Sequence, residues 1–153
     1  MKNKKSANNS TIQAGKLYYN IKLEQYSEIF NSFIWWWIIF LYGEIWMWKT
    51  TISKYIFEKV LSEKYTITSP TYTYYNIYDS IHYHFDLYRL QNYDEFINIW
   101  WEEIIDNNSN WIVLIEWPEL IESYIQPDFS IHITQWNTLK TRNLRISTPQ
   151  YLS

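Results

Sequence analysis

The sequence predicts an α/β fold: a single domain in which helices flank a mixed β-sheet. Three observations carry this. Ile38–Tyr42 and Ile112–Glu116 are short, continuous apolar runs, as expected of central strands buried on both faces. Between them, Thr50–Ser62 sets Ile52, Tyr55, Ile56 and Val60 along one side of an amphipathic helix. Tyr72–Tyr78 and Ile81–Phe85 then read as two strands joined around Asp79-Ser80. The chain has 153 residues, long enough for one domain with a real core. That domain is expected over residues 16–150, behind a flexible tail at residues 1–15.

The remaining elements follow in order. Leu17–Leu23 suits a first strand. Glu24–Phe33 carries Tyr26, Ile29, Phe30 and Phe33 at helical spacing, which predicts a short helix. Trp35-Trp36-Trp37 stands where a turn must precede the next strand. Pro70 bars Ser69–Thr73 from a central strand and makes it a hydroxyl-rich loop. Asn92–Ile99 and Trp101–Ile105 read as helical pieces, with Trp100 at a natural C-cap position. Ser130–Thr134 and Asn143–Ser147 are late strands, expected antiparallel with a turn near Trp136. The tyrosines at 72, 74, 75 and 78 are expected to pack on the sheet.

Composition narrows the function classes. Net charge is −3, so bulk charge gives no case for a nucleic-acid surface. Cysteine is absent, which removes disulfides and thiolate metal sites. The Lys-rich start, Met1–Lys5, runs into polar Ser6–Gln13 without an apolar segment, so no secretory signal is expected. The longest apolar run, Phe33–Tyr42, is too short to span a bilayer. A cytoplasmic protein without a membrane association is the expectation.

The chemistry centres on Gly43-Glu44-Ile45-Trp46-Met47-Trp48-Lys49-Thr50-Thr51. A buried strand leads into it and a helix leaves it. This is the layout of a phosphate-binding P-loop, G-x-x-x-x-G-K-[ST], which aims backbone amides and a helix N-terminus at phosphate oxygens. Trp48 stands where the second glycine belongs. That position needs close backbone approach and often a positive φ, which glycine adopts freely. Elsewhere in the chain, Ile112–Glu116 is an apolar strand tipped with a carboxylate, the pattern that holds Mg2+ beside a P-loop hydroxyl. His82, His84 and Asp86 share one strand face by the period of two, which makes a metal trio conceivable. Strand histidines more often serve the sheet itself.

The glycine count bears on Trp48. Two glycines and ten tryptophans occur in the chain. Average usage of about 7% would give roughly 11 glycines. We therefore expect most of the tryptophans to mark glycine codons, as when UGA is read as Trp in a lineage that uses it for Gly. A literally Trp-rich chain with a dead loop is the alternative.

Four blocks together resemble the TsaE (YjeE) family, the ATPase of tRNA threonylcarbamoyladenosine biosynthesis. They are Leu-Tyr-Gly-Glu-Ile-x-x-x-Lys-Thr-Thr at 41–51, Ser-Pro-Thr-Tyr-Thr at 69–73, His-Phe-Asp-Leu-Tyr-Arg-Leu at 84–90 and Ile-Glu-Trp-Pro-Glu at 115–119. The resemblance covers roughly residues 17–148, and it makes the fold a P-loop NTPase-like domain. The family pattern has glycine where this chain has Trp46, Trp48, Trp100 and Trp111, and tryptophan where it has Trp117.

The resemblance implies ATP and Mg2+ as ligands and the following roles. Gly43, Trp46, Met47, Trp48, Lys49, Thr50 and Thr51 form the nucleotide loop, with Thr71 reaching it from the Ser69–Thr73 segment, which resembles a switch responding to the γ-phosphate. Lys49 neutralises phosphate charge. Thr50 and Glu116 hold Mg2+. Asp86 matches the family's essential aspartate, orienting water or completing the metal shell. TsaB- and TsaD-like proteins are the implied partners, with tRNA contacted only indirectly. Two other functions compete: a small-molecule or nucleotide kinase, which the three arginines Arg89, Arg142 and Arg145 argue against, and a non-catalytic binding module if Trp46 and Trp48 are real.

Overall fold

The computed structural model describes residues 16–26, 37–45, 47–61, 65–99, 111–135 and 140–147. Its strands are β1 (Lys16–Ile21), β2 (Trp37–Tyr42), β3 (Tyr75–Tyr78), β4 (His82–Asp86), β5 (Ile112–Glu116), β6 (Phe129–Gln135) and β7 (Arg142–Ser147). Helix α1 spans Lys49–Phe57 and α2 spans Tyr93–Ile97. The strands join in one sheet of order β1-β7-β6-β2-β5-β4-β3. Its centre is parallel, β2 lying between β5 and β6 with β4 beyond β5. Antiparallel strands close both sides: β7 and β1 at one, β3 at the other. The expected mixed sheet with helices is therefore the observed architecture.

Alternation along the central strands splits the core in two. Ile39 and Leu41 of β2 and Leu114 of β5 join Ile52, Ile56 and Phe57 of α1 on one face. Phe40 of β2, Phe85 of β4 and Val113 and Ile115 of β5 join Phe96 of α2 on the other. The same period of two turns His84, Asp86 and Glu116 toward the α1 face. Phe40 is fully enclosed. Phe40→Ala should therefore cost about 3–5 kcal/mol, read from denaturant unfolding.

Local chemistry explains most boundaries. Asn92 caps α2, its side chain accepting from the Glu95 amide at 3.0 Å, while Glu95 accepts from the Gln91 amide at 2.9 Å. The Asn92 oxygen satisfies an amide that the helix start leaves open, and the Glu95 carboxylate ties down the residue before the cap. Ser53 and Lys54 continue the amphipathic spacing of α1, but α1 ends at Phe57 and passes into turns. It is shorter than the expected Thr50–Ser62.

Several sequence expectations are corrected. Trp37 opens β2 instead of belonging to a turn. The first strand of the hairpin begins at Tyr75, because Tyr74 has φ +68 and breaks the extended run. Tyr72 and Tyr74 accordingly lie off the sheet and exposed, whereas Tyr78 is buried in it. Arg89 lies over the Tyr72 ring at 5.0 Å. The predicted tail 1–15, the helix beyond Tyr26, Trp35, Trp36, Trp46, Trp100, the Trp101–Ile105 piece and the turn at Trp136 lie outside the described residues.

Candidate phosphate-loop site

Strand direction places the site. β2, β4 and β5 are parallel neighbours, so their C-terminal ends lie together at one edge of the sheet. Leu41 pairs with Glu116, and Glu116 pairs with Asp86. The loop after β2 rises from that same edge into α1. Ligands of open parallel sheets bind at this end of the strands.

Gly43 leaves β2 with φ +156, where a Cβ would stand 3.1 Å from the Ile133 carbonyl oxygen and 3.3 Å from Met47 Cβ. No other residue type fits there without movement. The loop ends at Trp48, in the left-handed region with φ +66 and ψ +24, directly before α1. That conformation costs an L-residue roughly 1–2 kcal/mol and costs glycine nothing. The Trp48 carbonyl accepts the first bond of the helix, from the Ile52 amide at 3.0 Å. Its indole packs edge-on against Tyr26, centroids 6.3 Å apart, and carries the Arg142 guanidinium at 4.2 Å.

A positive φ is not a property of Trp48 alone. Trp117 also has φ +58, yet the resemblance makes it a true tryptophan. Its ring lies under the Lys49 ammonium at 3.9 Å, a cation–π contact that glycine could not make. Trp111 is half-buried and packs against the α2-side core.

Lys49 is buried, and its ammonium donates to the carbonyl oxygens of Gly43 and of Glu44, the latter at 2.8 Å. Burial pushes its pKa down, while the carboxylates of Glu116, Asp86 and Glu119 pull the other way. Asp86 is held on three sides. Its Oδ2 accepts from the Ser69 hydroxyl at 2.8 Å and from the Thr71 hydroxyl, and its Oδ1 accepts from the Tyr88 amide at 3.0 Å. Glu116 Oε1 meets Ser53 Oγ at 3.0 Å and His84 Nε2 at 2.8 Å.

One cavity of about 640 Å³ gathers these groups. Met47, Trp48, Lys49, Thr50, Thr51, Thr71, Asp86 and Glu116 line it, joined by Ser69, Tyr88, Trp117 and Arg142. Lys49, Asp86 and Glu116, distant in sequence, thus share one chamber. Gly43 reaches it only through its carbonyl bond to Lys49. Sequence reasoning missed Ser53, Trp117 and Arg142 as lining or supporting groups. Ser53 carries a legible signal, four residues after Lys49 on the same helix face. Arg142 carries none, since only the β6–β7 pairing brings it here.

The conceived trio of His82, His84 and Asp86 does not assemble. His82 Nδ1 accepts from the Ile112 amide at 3.0 Å, and burial holds its pKa low, with Asp79 opposing. His84 goes to Glu116 and Asp86 to the hydroxyls. Among the described residues no three His, Cys, Asp or Glu side chains are grouped to hold a metal.

Known proteins bear on this geometry. The sequence model of the family described as "Threonylcarbamoyl adenosine biosynthesis protein TsaE" matches residues 6–144. A protein of Rickettsia felis is 32% identical over 93 residues, covering 59% of this chain and 53% of its own length. One of Borreliella burgdorferi is 39% identical over 70 residues, covering 44% and 50%. Both carry the name tRNA threonylcarbamoyladenosine biosynthesis protein TsaE. The chain's match thus spans about half the length of these curated relatives. The crystal structure of YdiB from Bacillus subtilus aligns with a TM-score of 0.61 over 88% of this chain and 86% of that one, at 20% identity, a likeness of fold. With a parallel-sheet edge that carries the phosphate-type loop and a family match across nearly the whole sequence, the chain belongs to the TsaE family.

Proposed function

We propose that the chain is a P-loop Mg2+-dependent ATPase that supports threonylcarbamoyl modification of tRNA adenosine in a complex with TsaB- and TsaD-like proteins. The observation that carries this is the convergence of Lys49, Thr50, Asp86 and Glu116 on one cavity. tRNA is reached only through the partners, and the cytoplasm is the compartment proposed. Among the described residues no helix is long and apolar enough to cross a membrane.

The donor set fits the metal. A threonine hydroxyl and a carboxylate are hard oxygen ligands, and Mg2+ usually takes only one or two such protein groups beside phosphates and waters. Thr50 and Glu116 would hold it, and it would neutralise charge on the transferring phosphoryl group. The loop fits phosphate at Lys49, Thr50 and Thr51, whose amides open α1. It does not fit at residue 48 while an indole stands there.

The chain's own residues do the rest. Lys49 exchanges its loop carbonyl partners for phosphate oxygens, with Trp117 keeping its ammonium in place. Asp86, fixed by the Ser69 and Thr71 hydroxyls, accepts a hydrogen bond from the attacking water or from the metal's water shell. Those hydroxyls tie the 69–73 loop to the same carboxylate, so a change at the γ-phosphate can move the loop. Hydrolysis of this kind is mostly positioning and charge stabilisation.

The test is ATP turnover by the chain carrying Trp46→Gly and Trp48→Gly, alone and with TsaB- and TsaD-like proteins. Weak release of inorganic phosphate alone, rising with the partners, is expected. Transfer of the phosphate to a small acceptor would favour a kinase instead. A second reading follows from Trp48 itself: with the indole in the phosphate space, the literal chain is a binding module without nucleotide. It predicts no heat of ATP binding in calorimetry.

A further inference from the structure

We propose that His84 is a positioning residue that aims Glu116 at the magnesium. The inference rests on the assignment of Glu116 to the metal in the function proposed above. Both side chains are buried, His84 completely. His84 Nε2 lies 2.8 Å from Glu116 Oε1. A carboxylate oxygen accepts, so Nε2 carries the hydrogen.

The other neighbour of Oε1 is a weaker support. Ser53 Oγ lies 3.0 Å from Glu116 Oε1 and 3.0 Å from the Lys49 carbonyl oxygen. A hydroxyl has one hydrogen, and a helical serine readily spends it on the carbonyl four residues back. The imidazole is the undivided donor. Since both groups meet Oε1, Oε2 is the oxygen left for the cavity that Glu116 lines.

A purely structural histidine would look different. His82, two residues earlier on the same face, uses its ring nitrogen to satisfy the Ile112 amide and so holds β4 to β5. Among the described residues His84 bonds to no backbone group. Its Nδ1 is enclosed without a hydrogen-bond partner, and its ring packs against Phe57 at 5.7 Å. An apolar side chain would fill that space without stranding a polar atom. The bond to Glu116 is what the imidazole adds. Three elements therefore meet behind one carboxylate: β4 through His84, α1 through Ser53, and β5, which carries Glu116.

Partners behind a metal-binding carboxylate fix its rotation, and their loss typically costs 10–100-fold in metal affinity. The test uses the Trp46→Gly/Trp48→Gly chain and calorimetric ATP binding across a Mg2+ titration, with thermal melting as a check of folding. His84→Leu should raise the Mg2+ needed for half its effect on ATP binding by about tenfold. ATP affinity in EDTA should stay unchanged. His84→Gln, whose amide can donate from the place of Nε2, should restore the parent's Mg2+ requirement. If His84→Leu does not fold, His84→Asn shortens the same amide out of reach and should show the same tenfold rise.

An unchanged Mg2+ requirement overturns the proposal and leaves the ATPase reading standing. So does an equal loss of affinity in EDTA, or a His84→Gln variant as impaired as His84→Leu. A parent chain that binds no ATP at any Mg2+ concentration overturns both.

Discussion

The chain carrying Trp46→Gly and Trp48→Gly is expected to bind MgATP where the literal chain does not, and Lys49→Ala in that background is expected to remove the binding. Residue 48 is held at φ +66 in the left-handed region directly before α1. Glycine there relieves roughly 1–2 kcal/mol of backbone strain. It also clears the indole that now packs edge-on against Tyr26 and carries the Arg142 guanidinium. Trp48 is one of the residues lining the cavity beside Lys49, Thr50 and Thr51, so its removal widens the space at the start of α1.

Lys49 supplies the charge. It is the buried cation of the loop, and truncating one partner of a buried, hydrogen-bonded charge pair costs about 2–5 kcal/mol, or roughly 30- to 5,000-fold in affinity. Calorimetry measures both variants. ATP binding that survives Lys49→Ala undiminished would remove the phosphate-loop assignment. The mass of the native peptide containing residue 48 gives an independent check, since glycine and tryptophan differ there by a whole indole side chain.

Glu116→Ala is expected to lower Mg2+-dependent turnover by about a hundredfold or more, because a metal at such a site contributes several kcal/mol of charge stabilisation. Metal-free ATP affinity should not fall with it. The carboxylate lies at the C-terminal end of β5, beside Asp86 and facing α1, and it touches Ser53 and His84 instead of the Lys49 ammonium. Removing it takes a negative charge away from the phosphate space, which favours the bare nucleotide. Equal losses with and without metal would contradict the role given to it. The measurement is steady-state phosphate release across a Mg2+ titration, paired with ATP binding in EDTA.

Much of the fold was legible because central strands of a parallel sheet leave an unambiguous trace. Ile112–Glu116 has no polar residue before its last position, and all five residues are buried in β5. β6 and β7 fell within one residue of their expected starts and pair antiparallel, as their alternating patterns required. Helix ends and loop–strand boundaries were less legible. The run from Tyr72 to Tyr78 looks like a strand throughout, yet a left-handed Tyr74 and the turn after Pro70 cut it to four residues. Strand propensity in aromatic residues reports a fit to a half-buried surface, and Tyr72 has no such surface to meet.

The candidate site divides in the same way. The loop from Gly43 to Thr51, the acid closing β5 and Asp86 in its block were all visible as motifs, because the phosphate and metal chemistry proposed for them demands fixed residue types at fixed spacings. His84 was visible only as one of an alternating pair, and its use was open. His82 and His84 look alike in the chain, but the register of β4 against β5 sends one to a backbone amide and the other to a carboxylate.

By itself, then, the sequence determined the α/β class, the central strands, the strand–loop–helix layout around Gly43–Thr51 and the positive φ at residue 48, since each is a local pattern of burial or backbone demand. Only the tertiary structure decided that Lys49, Asp86 and Glu116 share a cavity, that Trp117 and Arg142 belong to it, and what stands behind Glu116. Those are contacts between residues dozens of positions apart, and they exist only once strand order and register are fixed.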